Sequence, residues 1–170
     1  MKNFIYALPV MVMSLCLSSC DTELVEPQNV AAVAKTADAQ SPYTYTAHLR
    51  PEEETREVIS NATGQIILRL SKDGTQLYYK LIVANMESVL FGHLHMAPAG
   101  ENGPVVVDLV GSVSNPSGVI AEGIITSASL KGPLAGKTLS DLIAAIEAGN
   151  IYTNVHSPTY PAGEIRGQVK

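Results

Sequence analysis

The chain has 170 residues and a formal charge of −5, from 11 Lys and Arg against 16 Asp and Glu. That length fits one ordinary domain with a modest extra segment, and acidity without a basic run argues against nucleic acid, whose phosphates are met by clustered Lys and Arg. Trp is absent and only two Phe are present, so any core must come mainly from Val, Ile, Leu and Tyr, a composition that favours strands.

The chain opens with Lys2 and an almost unbroken apolar run from Phe4 to Leu17, followed by small residues. This is the pattern of an export signal, and it is shorter than the roughly 20 apolar residues a membrane span needs. The run closes on Leu17-Ser18-Ser19-Cys20, which resembles the lipobox of bacterial lipoproteins, where the cysteine becomes the lipid-modified first residue of the mature protein. The resemblance implies a signal peptide over residues 1–19, lipidation at Cys20, and an exported protein held by lipid to a bacterial membrane, inner or outer. Cys16 leaves with the signal, so neither a disulfide framework nor thiol chemistry is expected, and the domain must be held by its apolar core. Residues 20–42 carry the cysteine and a segment rich in Ala, Thr, Gln and Asp without aromatics, read as a flexible tether.

From Tyr43 the apolar period becomes two, and a half-buried strand is expected up to the stop at Pro51. The charged stretch Glu52 to Glu57 reads as a solvated loop or edge, since the glycine and Asp/Asn spacing of a calcium loop is missing. Gly64 to Ser71 and Gln76 to Ala84 alternate around Lys72-Asp73-Gly74-Thr75 and predict a hairpin, with glycine meeting the positive φ of the turn. Val89 to Met96 and Val105 to Val110 are strands joined by a Pro/Gly loop, and Gly111 to Gly118 is a loop. Val119 to Thr126 is a further strand, with Gly123 read as the mark of a bulge. Leu139, Leu142, Ile143 and Ile146 fall at helical spacing between Thr138 as N-cap and Gly149 as C-terminal stop, predicting one short helix. Ile151 to His156 and Glu164 to Val169 close the chain as strands. Their alternation places Tyr152, Asn154, His156, Glu164, Arg166 and Gln168 on a polar face, with Ile151, Thr153, Val155, Ile165 and Val169 on an apolar one. About eight short strands punctuated by Gly and Pro indicate an all-β, antiparallel, Greek-key-like sandwich over residues 43–170.

Several separated motifs occur in order: Arg56-Glu57-Val58 with Ala62-Thr63-Gly64; His93-Leu94-His95 with Gly100-Glu101-Asn102-Gly103-Pro104-Val105-Val106; Leu142-Ile143 with Gly149-Asn150; Tyr152-Thr153-Asn154-Val155-His156; and Tyr160 through Gln168. Together the stretch from about Ala47 to Gln168 resembles the CHRD domain, found in the secreted growth-factor antagonist chordin and in microbial exported proteins. The resemblance implies an immunoglobulin-like or superoxide-dismutase-like β-sandwich outside the cytoplasm, and it implies no catalytic mechanism. Growth-factor binding does not carry over, because this chain has one such unit and none of chordin's cysteine-rich modules.

His93 and His95, two apart on a strand, point to one side. If His156 joins them, three neutral imidazoles can hold copper or zinc and leave a coordination position open. Copper/zinc superoxide dismutases combine a Gly-x-His-x-His strand with a later Val-His strand and an arginine hairpin. Gly92-His93-Leu94-His95, Val155-His156 and Arg166 look similar, but the metal-bridging histidine has no counterpart. Equally, the three histidines can form a hydrogen-bonded polar layer with Asn154, Glu164 and Arg166, within which Glu164 would orient His156 or pair with Arg166. Neither a serine triad nor a glycosidase-like carboxylate pair is supported.

The expected function is a lipid-anchored, extracytoplasmic, non-catalytic binding module with a three-histidine metal site. Its rivals are a copper- or zinc-dependent redox enzyme of superoxide-dismutase-like type and a metal-free structural or adhesive envelope protein. The membrane, through the lipid, and a metal ion are the expected partners; the sequence names no protein partner.

Overall fold

The computed structural model describes residues 43–170. The expected signal peptide (1–19), Cys20 and the tether (20–42) lie outside the described residues. Two four-stranded antiparallel sheets face each other. The first orders β1 (Thr44–Leu49), β2 (Thr63–Leu70), β3 (Leu77–Ala84) and β8 (Gly118–Ile125) as β1-β2-β3-β8. The second orders β5 (Phe91–Met96), β6 (Val105–Val110), β9 (Ile151–His156) and β10 (Ile165–Gln168) as β10-β9-β5-β6. A small ribbon pairs β4 (Ser88–Val89) with β7 (Val113–Ser114). The all-β sandwich with one short helix is therefore the fold.

The core lies between the sheets. Alternation puts Ile66 and Leu68 of β2, Leu81 of β3, Leu94 of β5, Val155 of β9 and Ile165 of β10 inward, each fully buried. The β2–β3 hairpin turns where Gly74 adopts φ +70°, and Asp73 accepts bonds from Ser71 and Thr75 across the turn. Helix α1 (Leu139–Glu147) starts at Thr138, whose hydroxyl accepts from Asp141 N while the Asp141 carboxylate accepts from Thr138 N. That reciprocal cap satisfies free backbone donors of the first turn. The helix ends before Gly149 at φ +72°, and Leu142 and Ile146 bury its apolar stripe.

Three expectations change. Gly123 marks no bulge: it pairs in register with Tyr79, and the shift falls between Leu81 and Ile82, opposite Ala121 and Val119. A Cβ at 123 would lie 2.7 Å from the Tyr79 ring, so glycine is there to let that ring pack over β8. The segment read as one strand from Val89 breaks at Leu90, and the loop read over 111–118 contains β7. The polar face expected for β9 is present but covered: all six residues of the strand are buried, because loops from distant parts of the chain lie over the side opposite the core.

One long edge of the sandwich is stitched. Thr46 and Lys170 exchange backbone bonds, as do Arg50 and Arg166, so β1 runs alongside β10. At Gly167 a Cβ would meet His48 O at 2.2 Å; only glycine allows that approach. The stitching brings residues 51–61 over the outer face of β9 and β10, the same face of the sheet on which β5 and β9 carry the histidines.

Candidate metal centre

The pairing of β5 with β9 sets the site. Phe91 stands opposite His156, His93 opposite Asn154 and His95 opposite Tyr152. Residues opposite each other in an antiparallel pair share a face, so three histidines from two adjacent strands converge on the side away from the core. Ring centroids lie 5.5 Å apart for His93–His95, 5.5 Å for His93–His156 and 6.1 Å for His95–His156. One nitrogen of each lies within 4.8 Å of the others.

Hydrogen bonding identifies the nitrogens that are free to ligate. His95 Nδ1 is 2.9 Å from Gly103 O and His156 Nδ1 is 3.1 Å from Pro161 O. A carbonyl only accepts, so each Nδ1 carries the proton and each Nε2 is left with a lone pair. In His93 no hydrogen bond fixes the tautomer: Nε2 faces Asp108 Oδ1 at 3.6 Å, an ion-pair distance, and Nδ1 is buried without a partner. Among the described residues, five buried side-chain atoms lack a hydrogen-bond partner. They are His93 Nδ1, His95 Nε2 and His156 Nε2, together with Thr153 Oγ1 and Asn154 Oδ1 on β9. A buried, unsatisfied acceptor costs about 1–3 kcal/mol, so three at one point are expensive unless something binds them.

The electrostatics keep the rings neutral. Burial lowers the pKa of all three histidines, and for His156 to about 4. The bonds to Gly103 O and Pro161 O and the charge of Asp108 oppose that shift without overcoming it. The three imidazoles are thus in the protonation state that metal ligation requires.

The wall around them is aromatic. Phe91 lies 5.1 Å from His93 and 4.5 Å from His156 between ring centroids, and Tyr152 stacks on His95 at 4.9 Å and 9°. Arg166, 2 % exposed, sets its guanidinium 3.5 Å over the Tyr152 ring. Its two terminal nitrogens donate to Asn102 Oδ1 and Glu101 O, anchoring the loop that supplies Gly103 O to His95.

The other residues of the expected polar layer are buried nearby but bond elsewhere. Asn154 donates to Glu54, and Glu164 accepts from Ser60 Oγ at 2.6 Å. The orienting partner of His156 is therefore Pro161 O rather than Glu164. His48 is exposed on β1 and lies outside the cluster. Sequence reasoning passed over Glu54, Phe91, Asp108 and Tyr152 as parts of the site. Register with His93 and His95 is the signal that points to Asp108 and Tyr152, but pairing partners are not visible in one sequence. Glu54, read as part of a solvated stretch, instead turns inward between Asn154 and two arginines, and burial raises its pKa.

Comparison with curated proteins and with solved structures finds no match. Comparison with protein families matches residues 45–169 to the CHRD domain, a span that holds every strand from β2 to β10, all but the first residue of β1, and the three histidines. The chain belongs to the CHRD domain family.

Proposed function

We propose that the protein is a non-catalytic binding module that holds one transition-metal ion, copper or zinc, between His93, His95 and His156. It is carried outside the cytoplasm on a lipid at Cys20, after removal of residues 1–19, with residues 20–42 as the tether. The observations that carry the metal reading are that one ring nitrogen from each of His93, His95 and His156 lies within 4.8 Å of the others, and that His93 Nδ1, His95 Nε2 and His156 Nε2 are buried without protein partners. Bonds of about 2.0–2.1 Å place three donors of a tetrahedral ion roughly 3.3 Å apart. Nitrogens within 4.8 Å of one another reach that spacing by small ring rotations. Asp108, Gly103 O and Pro161 O then serve as the outer partners that fix ring orientation.

Metal analysis of the full chain in detergent, after loading and desalting, tests this reading. One equivalent is expected in the wild type and none in the His93→Ala/His95→Ala double variant; substoichiometric metal in the wild type returns the domain to a structural or adhesive role. Turnover of superoxide or peroxide by the loaded protein would make it an enzyme instead of a carrier.

A further inference from the structure

We infer that the ion this cluster is built for is monovalent copper, Cu(I), in a three-coordinate, all-nitrogen site. The inference rests on the metal reading above and narrows it by charge and coordination number.

The donors are three neutral imidazoles, and among the described residues no carboxylate completes the cluster. An ion placed there keeps its full charge. The cost of taking an ion out of water grows with the square of its charge, so a divalent ion pays about four times what a monovalent ion pays in the same cavity. Nearby fixed charges sharpen the difference. Arg166 acts unfavourably on a positive charge at His95, and Arg56 does the same at His156. The carboxylates that could offset a second charge are engaged. Asp108 is 59 % exposed and pairs with Lys131, and Glu54 accepts from Asn154 within reach of both arginines.

Coordination number points the same way. Zinc takes four ligands, and with three histidines it recruits water or an anion for the fourth. Here Phe91 packs against two of the rings and Tyr152 against the third, and His95 and His156 are nearly closed off, at 9 % and 7 % exposure, while the His93 side chain is 17 % exposed. The aromatic faces offer a water ligand no hydrogen bond, which leaves Asn154 Oδ1, opposite His93, as the buried acceptor without a partner on that side. Cu(I) is satisfied by three nitrogen donors, and since imidazole serves copper and zinc alike, ion charge and coordination number, not donor type, carry the choice between them.

The test is anaerobic competition on the full chain in detergent, with Cu(I) held by bathocuproine disulfonate and ascorbate and with Zn(II) as challenger. One Cu(I) per chain is expected, retained against about a 100-fold excess of Zn(II), and the desalted protein should stay silent in electron paramagnetic resonance after brief exposure to air. His93→Asp, which places a negative charge in the donor set at the most exposed position, should shift the preference towards Zn(II). Displacement of copper by equimolar zinc, immediate appearance of a Cu(II) signal, or an unchanged preference in His93→Asp would each overturn the Cu(I) assignment and leave the three-histidine site standing. Failure to retain either metal would overturn both.

Discussion

Arg166 and His95 are linked twice without touching: the guanidinium lies over the Tyr152 ring that stacks on the imidazole, and it also grips the loop whose Gly103 carbonyl fixes the imidazole's tautomer. A fully buried arginine is costly unless its donors are met and its charge is placed usefully. Here it holds a ligand's orientation from two directions.

Arg166→Lys keeps the charge but loses the planar fork that reaches Asn102 and Glu101 together. The expected result is a loss of about 1–3 kcal/mol in urea unfolding, together with a 10- to 100-fold weaker metal affinity, as about expected when an outer partner of a ligand is removed. The affinity is read by chelator competition at a urea concentration of zero, where the variant remains folded.

The glycines give a contrast within one fold. Gly167→Ala would drive a Cβ into His48 O, whereas Gly111→Ala meets nothing within 4 Å. The first should cost about 2 kcal/mol or more by separating β10 from β1, and the second should lie within about 0.5 kcal/mol of the wild type. Thermal unfolding of the two variants side by side checks both.

Acid should loosen the metal-free protein before its ordinary carboxylates titrate. In the unfolded chain a histidine takes a proton near pH 6.5, while folded His156 resists until about 4, and His93 and His95 are lowered too. Between those values the unfolded state binds more protons, so stability is complete above about pH 6.5 and declines as the pH falls towards 4. The slope from one such site is at most about 1.4 kcal/mol per pH unit. Glu54, whose pKa burial raises, works in the opposite sense at the acid end. Denaturant unfolding at pH 7.5 and pH 5 in a chelator measures the difference, and His156→Phe should flatten it.

Cys20→Ala addresses the anchor. The variant should leave the membrane fraction, and continued membrane retention would argue against lipidation.

What the sequence made legible was local. Thr138 and Gly149 bracket α1 because caps are chemistry of neighbouring residues, and Asp73-Gly74 marks the hairpin for the same reason. The histidine pair was visible from strand parity, and His156 from the family motif. The covering of β9 was not legible, because the residues that bury its outer face come from 54–60, 101–103 and 161–164. Alternation in one strand carries no record of what packs over it. Gly123 was misread for a similar reason: its role depends on Tyr79, a cross-strand neighbour more than forty residues away in the sequence. Short pieces such as β4 and β7, two residues each, are too brief to have a period.

The central claim is that three imidazole nitrogens share one ion, and the most direct measurement is anomalous diffraction from crystals of the copper- or zinc-loaded protein. The account predicts a single strong peak about 2.0–2.1 Å from His93 Nδ1, His95 Nε2 and His156 Nε2. A peak elsewhere, or one bonded to fewer than three of these atoms, would contradict it.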